Sequence, residues 1–452
     1  MRKPQLIKDE GHQQVHERVA GIDVAKASAA VCLRTADKPD CSQVWTEVAA
    51  TMRSVTELGR MLLAERVELV VMEATSDYWK IWFYVLESLG LMVQLAGPGQ
   101  VRQLRGRPKT DKLDAQWLAR LAGWGMLRPC FVPASPVRVL REYTRARADL
   151  VRDRTRCWQR LEKLLEGALI KVSSVASKIN TESVKKMIRA MIEGERDPQV
   201  LAGLAMTRMK AKHDLLAEAL TGMWQDHHGV LARQLLDQAG QLDALIDELE
   251  ERITAAMTAI PAAWGADADG VTGPGAGHGQ DAARLDAVTR LAQIPGISAQ
   301  TAMAIIGEIG LDMTRFPTPA HLVSWAGLCQ AANQSGPRPR KGKKKHGNAY
   351  LRGYLGQAAV AARDTATFLG ERYRRIRRRR GSGIAQTAVA RSILVIIWHL
   401  LADPDARYTD LGEDYHTSRI SREKKIRGHL SQLRALGVDL ITAPPKDSAP
   451  AA

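Results

Sequence analysis

Ser335 stands beside Gly336, in front of Arg338, Arg340, Lys341, Lys343, Lys344, Lys345 and His346. Clustered positive charge attracts phosphate, and a glycine lets a backbone approach with no side chain intervening. A hydroxyl held there can attack a phosphodiester once a base or a metal takes its proton. Taken alone, the segment reads more simply as a polar turn entering a solvated basic loop. Four carboxylates elsewhere change that reading. Asp23 lies inside the apolar run Val19–Val24, where an ionised group is costly unless paired or bound to a metal. Glu73 ends a second apolar run, at the strand end where α/β proteins commonly place ligands. Asp111 and Asp114, three residues apart at a helix start, project to one side. Simpler roles exist: the aspartates complement a helix dipole, and Glu73 can merely begin a loop. Asp23 has no comparably simple account. Four oxygen ligands without Cys or His suit Mg²⁺ or Mn²⁺, not zinc. Two such ions about 4 Å apart would stabilise both the attacking and the leaving oxygen of a phosphodiester.

The elements around these residues follow from hydrophobic periodicity. Residues 19–24, 29–33 and 43–49 read as three strands able to form an antiparallel meander. A helix over 55–64, a strand over 67–72, a helix over 78–89 and a strand over 92–95 follow. Residues 102–109 form a basic loop, and Thr110 is the N-cap of a helix reaching residue 121. Strands first and helices alternating later predict a mixed α/β sheet flanked by helices.

After Pro133 and Pro136 the pattern becomes helical. Leu140, Tyr143, Leu150, Cys157, Leu161 and Leu164 keep a spacing of threes and fours, as do Leu235, Leu242, Leu245, Leu249 and Ile253. These predict two long helices pairing as an antiparallel coiled coil, with Arg147 and Arg154 on the seam of the first. Residues 171–227 read as irregular helix with Met206, Met209 and Trp224 in its core, and 266–279 as a glycine-rich linker. Residues 291–297, with Pro295 and Gly296, lead into a helix over 299–309. They predict a helix-hairpin-helix-like element, read equally as a phosphate contact or as ordinary packing. Further helices are expected over 358–366 and 384–401, around the arginine-rich stretch 372–380, and the tail beyond Asp403 reads as flexible.

At 452 residues the chain has room for two or three domains. Its 65 Lys and Arg against 49 Asp and Glu leave a net charge of +16. That excess favours a nucleic-acid partner. An anionic membrane fits less well, because the charge flanks the candidate catalytic residues and does not follow one amphipathic helix. The five scattered cysteines form no CxxC pair, which predicts a reducing cytosol and no zinc site. The N-terminal residues lack the apolar core of a signal peptide, and the run 393–402 is too short to span a bilayer. A soluble, cytoplasmic protein is expected.

The ordered motifs carry a family resemblance. Gly21-Ile22-Asp23-Val24-Ala25-Lys26, Met72-Glu73-Ala74-Thr75 and Lys109-Thr110-Asp111-Lys112-Leu113-Asp114-Ala115 are similar to those of the DEDD transposases of bridge-RNA-guided insertion sequences. Ile294-Pro295-Gly296-Ile297, Trp325-Ala326-Gly327-Leu328, Gln334-Ser335-Gly336 and Gly347-Asn348-Ala349-Tyr350-Leu351-Arg352 resemble that family's second domain. The resemblance implies a RuvC-like domain of the RNase H fold, a helical coiled coil and a helical transposase domain. It implies that Asp23, Glu73, Asp111 and Asp114 hold the metal, and that Ser335 forms a covalent phosphoserine with DNA. The carboxylates of a neighbouring subunit would complete the site in a homo-oligomer, a dimer or a tetramer. An element-encoded guide RNA would pair with donor and target DNA. Arg338, Arg340, Lys341, Lys343, Lys344, Lys345, Arg352, Arg377 and Arg378 are the expected backbone contacts. The expected organisation is a tail over 1–16, the RuvC-like domain over 17–132 and the coiled-coil region over 133–262. A linker over 263–283, the serine-bearing domain over 284–405 and an extension over 406–452 complete it. Two other readings remain at this point: a RuvC-like junction nuclease using metal-activated water, and a non-catalytic architectural protein.

Overall fold

The computed structural model describes residues 15–35, 38–97, 110–264, 286–334, 339–344, 347–419 and 422–437. The expected N-terminal tail (all but its last two residues), the basic loop 102–109 and the glycine-rich linker lie outside them, as do Ser335, Arg338 and Lys345. Chain contacts divide the protein into two compact units, one ending at Val132 and the other starting at Pro133.

In the first unit, strand β1 (Val19–Val24) has neighbours on both edges and apolar layers on both faces, so its run is buried almost throughout. β2 (Ser28–Thr35) and β3 (Lys38–Ala49) continue as an antiparallel meander, with Val24 opposite Ala29 and Val31 opposite Trp45. Helix α1 (Met52–Ala64) leads to β4 (Leu69–Glu73), which runs parallel to β1 with Ile22 beside Met72. Helix α2 (Trp79–Ser88) leads to β5 (Val93–Ala96), parallel to β4. The order β3-β2-β1-β4-β5 is an RNase H-like mixed sheet. Strand alternation sends Ala20, Ile22, Val24, Val70 and Met72 to the face packed by Val55, Leu58 and Leu62 of α1 and Trp82 and Leu86 of α2. Val19, Cys32, Leu69 and Val71 face the other way, under helix α3 (Asp111–Gly123) and its Ala115, Leu118, Ala119 and Ala122.

Helix α3 lies so close to β1 that a Cβ on Gly21 would press into the Ala115 carbonyl and the Ala119 amide. Backbone atoms cannot rotate away, so Gly21→Ala should cost about 2 kcal/mol of stability. An unchanged urea midpoint would contradict this close approach. One cysteine departs from expectation: Cys32 is disulfide-bonded, whereas Cys130, Cys157 and Cys329 are free thiols. Spacing along the chain could not reveal that bond.

The second unit is built on two helices of 33 residues each, α4 (Ser135–Gly167) and, later in the chain, Asp226–Thr258. Arg147 pairs with Glu250 at 2.6 Å and Arg154 with Asp243. A step of seven forward on one helix matches seven backward on the other, so the pair is antiparallel. The seam differs in detail from the leucine pattern. Ala232, Ala239, Ile246 and Ile253, spaced by sevens, are buried, whereas Leu245 is 48% exposed. Two alanines and two isoleucines thus take the seam, and Leu245 lies on its flank. Between the long helices lie α5 (Val172–Val175), α6 (Glu182–Ile192), α7 (Pro198–Gly203) and α8 (His213–Leu220). They close a core over Leu161 and Leu165 of α4 and Ala232 of the second long helix, α9 (Asp226–Thr258). Met209 and Trp224 pack against that core as expected. Met206 instead is exposed, because its backbone amide turns in to Ser183 and its side chain turns out.

Beyond it come α10 (Ala287–Ala292), α11 (Ala299–Ile309), α12 (Pro319–Trp325) and the hairpin β6 (Gln330–Gln334) and β7 (Pro339–Lys344). Helices α13 (Ala349–Ala361), α14 (Phe368–Arg380) and α15 (Ser382–Ala402) follow. The helix expected over 358–366 begins earlier, because Asn348 caps it by accepting from the Leu351 amide. Helix α15 is longer than the apolar run first read. At 21 residues it has the length and composition to cross a membrane. Its Ala385, Val389, Ile393, Leu394, Ile397 and Leu400 are buried against α12, α13 and α14, so it is the core helix of this region. The tail is also more ordered than expected. Asp410 accepts from the Phe368 amide at the start of α14, and His416 meets Arg375 at 3.1 Å. Two helices, α16 (Tyr415–Ser418) and α17 (Arg422–Ala435), follow.

Candidate active site

The four carboxylates owe their placement to strand alternation and one helix cap. Val19, Gly21 and Asp23 share the α3 face of β1, and Asp23 pairs with Ala30, itself part of the α3-covered layer. Leu69, Val71 and Glu73 share the same face of β4. The parallel register that sets Ile22 beside Met72 brings Glu73 next to Asp23. Thr110 caps α3 by accepting from the Leu113 amide at 3.3 Å, which fixes where the helix begins. Asp111 and Asp114 stand one turn before Ala115 and Leu118 on its sheet-facing stripe.

The direction of α3 completes the arrangement. Its last residue, Gly123, accepts from the Val15 amide beside the start of β1. Ala115 and Ala119 cover Gly21 in the middle of that strand. The first turn of α3 therefore lies toward the far end of β1, where Asp23 is. All four carboxylates occupy one face and one end of the sheet. Asp23, Glu73 and Asp114 are half-buried and Asp111 is exposed. Among the described residues, no three Asp, Glu, His or Cys side chains form a ready metal-holding group. The chemistry of the donors, all hard oxygen, nonetheless fits Mg²⁺ or Mn²⁺.

In the second unit, Gln334 pairs with Pro339, Asn333 with Arg340 and Ala332 with Lys341. The four residues between, Ser335 among them, lie outside the described residues. Arg340, Lys341, Lys343 and Lys344 belong to β7 by backbone alone. Both roots of the hairpin are tight. Gly327 turns with φ +71° just before β6, and a Cβ on Gly347, just after β7, would collide with the Ala326 carbonyl. Two family-like motifs thus meet as backbone packing. Gly296 has a similar explanation: φ is +89°, and a Cβ would strike the Ala358 carbonyl of α13. Of the other expected contacts, Arg377 and Arg378 are exposed at the end of α14, while Arg352 is half-buried. Arg374 is turned inward to the Arg363 and Thr365 carbonyls.

Sequence reading missed a buried polar cluster beside the hairpin. Glu308 on α11 is fully buried, and Arg145 of α4 grips it with Nε at 2.7 Å and Nη2 at 2.8 Å. The hydrogen bond to Glu308 raises the Arg145 pKa further. Asn348 Nδ2 donates to the same carboxylate at 2.5 Å. The Arg145 and Arg152 guanidiniums lie 4.8 and 4.9 Å from the Tyr350 ring, whose hydroxyl donates to Asp149. One turn on, the Tyr354 hydroxyl donates to the Thr144 carbonyl, and burial followed by the Glu308 charge pushes its pKa up to about 12. The only sequence signal was Glu308 itself, the one charged residue of α11.

Residues 20–170 match the family model of a DEDD transposase, of the IS110 type. Residues 288–374 match a second model, the transposase IS116/IS110/IS902 family. No curated protein matches the chain.

Proposed function

Because the chain belongs to the IS110-type DEDD transposases, DNA-recombining enzymes of transposition, we propose that it cuts and rejoins DNA through a covalent bond to Ser335. The observation that carries the proposal is the gathering of Asp23, Glu73, Asp111 and Asp114 at one end of one sheet face. Carboxylates at a sheet edge repel a DNA backbone by their charge. With a divalent cation they become a site for phosphoryl oxygens. A divalent metal is usual for this family. These four residues would hold Mg²⁺, or Mn²⁺, whose positive charge supports phosphoryl transfer when bound.

In the proposed reaction the Ser335 oxygen bonds to phosphorus as the bond from phosphorus to a deoxyribose oxygen breaks. The serine proton passes to a carboxylate, and the departing sugar oxygen is protonated in turn. The phosphoserine keeps the bond energy, so reversal with another strand rejoins DNA without ATP. No residue adjacent to Ser335 can act as base: its neighbours are Gln334, Gly336 and basic groups. In this proposal the carboxylate unit supplies it, from the same chain or from a second subunit of a dimer or tetramer.

By the same resemblance, an element-encoded guide RNA selects donor and target by pairing, while the protein holds backbones. Diffuse basic charge supports that division of labour, and such an enzyme would work in the cytoplasm. Replacing Lys343, Lys344 and Lys345 together by Gln should weaken binding to all duplex sequences alike. The slope of log K against log salt should fall by up to about 2.7, at about 0.9 per lost phosphate contact. Lost sequence preference with an unchanged slope would instead make these lysines base readers. The overall proposal is tested by denaturing the reacting complex and mapping the residue bound to DNA. Cleavage with no adduct would favour the junction-nuclease chemistry of metal-activated water.

A further inference from the structure

We infer that Glu308, Arg145 and Asn348 are positioning residues that set the register of the serine-bearing hairpin for strand cleavage. The inference rests on the serine reading above. A fully buried carboxylate contributes little net stability compared with a well-packed apolar side chain, because desolvation offsets its ion pair. What it does impose is geometry. Arg145 meets both Glu308 oxygens in a planar fork, leaving little rotational freedom. The carboxylate then accepts from Asn348 Nδ2, while Asn348 Oδ1 caps α13.

Asn348 stands four positions after Lys344, the last residue of β7. Between them Gly347 is pressed against the Ala326 carbonyl, at the turn that launches β6. Both roots of the hairpin are thus pinned at one point, and the residue next to that point is keyed to Glu308. Glu308 is in turn held by the long helix α4 at Arg145, with Arg141 Nε at 3.6 Å and Arg141 Nη2 bonded to the Glu308 carbonyl at 2.7 Å. Tyr350, clasped by Arg145 and Arg152, prevents α13 from rolling about this anchor. Asn348 is only four positions from Lys344, so a displacement there has few residues to cross before it reaches β7. Near-attack geometry is sensitive at the ångström scale, so such a shift should reduce reaction without touching DNA affinity.

The test uses the full chain in cells carrying the complete element on a plasmid, with covalent protein–DNA adduct recovered under denaturing conditions. Asn348→Asp keeps the helix cap but removes the amide donor and sets two carboxylates face to face. Adduct should fall by about tenfold or more. Affinity of the purified variant for a random-sequence duplex and its circular dichroism should not change. Amide hydrogen exchange in β6 and β7 should accelerate. Pairing Glu308→Gln with Asn348→Asp restores the bond with donor and acceptor exchanged and total charge kept, and adduct should return to within about threefold of the parent. If Asn348→Asp does not fold, Asn348→Ser retains a cap without the added charge and carries the same expectation for adduct and exchange. Unchanged adduct and unchanged exchange in the folded single variant overturn the inference. So does a double variant no better than the single one. An adduct on a residue other than Ser335 in the parent protein defeats the serine reading separately, and hairpin exchange then still reports whether the cluster orders β6 and β7.

Discussion

Ser335→Ala should abolish covalent protein–DNA adduct and recombination while leaving DNA and RNA binding intact. Removing a nucleophile that acts with its partners as a unit costs on the order of a million-fold in rate, below detection in an adduct assay. Binding should survive because the cations proposed to attract phosphate belong to β7 and the end of α14, and a hydroxyl adds little to their field. Serine is a weak nucleophile at neutral pH, so its activity depends on groups that take its proton. None is adjacent in sequence, and the carboxylates belong to the other compact unit. Mixing Ser335→Ala subunits with Asp23→Ala subunits asks whether the two halves of the site come from different chains. Recovered recombination would mean a shared site, and no recovery in a well-mixed assembly would mean a site within one chain. Adduct formed by Ser335→Ala alone would end the serine mechanism.

Asp23→Ala should lower strand cleavage by about a thousand-fold or more at saturating Mg²⁺, since it removes one of the proposed ligands for the charge that supports phosphoryl transfer. The fold should persist, because the side chain lies at the open end of β1 and the core layers on both faces are apolar without it. Glu73→Ala and Asp114→Ala should behave alike, as both are half-buried on the same face. Asp111→Ala should be the mildest of the four. Its side chain is exposed, and complementing the dipole of α3 is a sufficient reason for an aspartate there. Removing divalent metal with a chelator should reproduce the Asp23→Ala phenotype in the parent protein, and Mn²⁺ should restore cleavage. Near-normal cleavage by folded Asp23→Ala would refute the metal-site proposal.

Much of the first unit was legible because its signals are local. A run of six residues buried on both faces reads as a central strand wherever it occurs. Thr110 starts α3 through a bond to an amide only three residues away, and such caps need no tertiary partner. The same holds for the long helices, where the arginines read on the seam of α4 do meet acids on α9. The heptad was legible, but the choice of buried side chain was not. Leu245 and Ile246 are adjacent and similarly apolar, and only the packing partner decides which one turns inward.

What the tertiary structure alone decided were the relations between distant residues. No periodicity says that Arg145 and Glu308, 163 positions apart, share a buried ion pair. Gly296 read as the turn glycine of a helix-hairpin-helix-like element, and Gly347 only as part of a family-like motif. Their missing Cβ atoms are required by carbonyls of α13 and of the turn before β6. The stretch 372–380 read simply as arginine-rich, yet the fold turns Arg374 to backbone carbonyls and leaves Arg377 to Arg380 facing water. Sequence alone marked the four carboxylates by their residue type and by their place at strand and helix ends. Their common face required the parallel register of β1 with β4 and the direction in which α3 crosses Gly21. Hydrogen bonds within a turn or a cap are short-range and belong to the local sequence. Which polar groups share a low-dielectric interior depends on how the chain closes on itself.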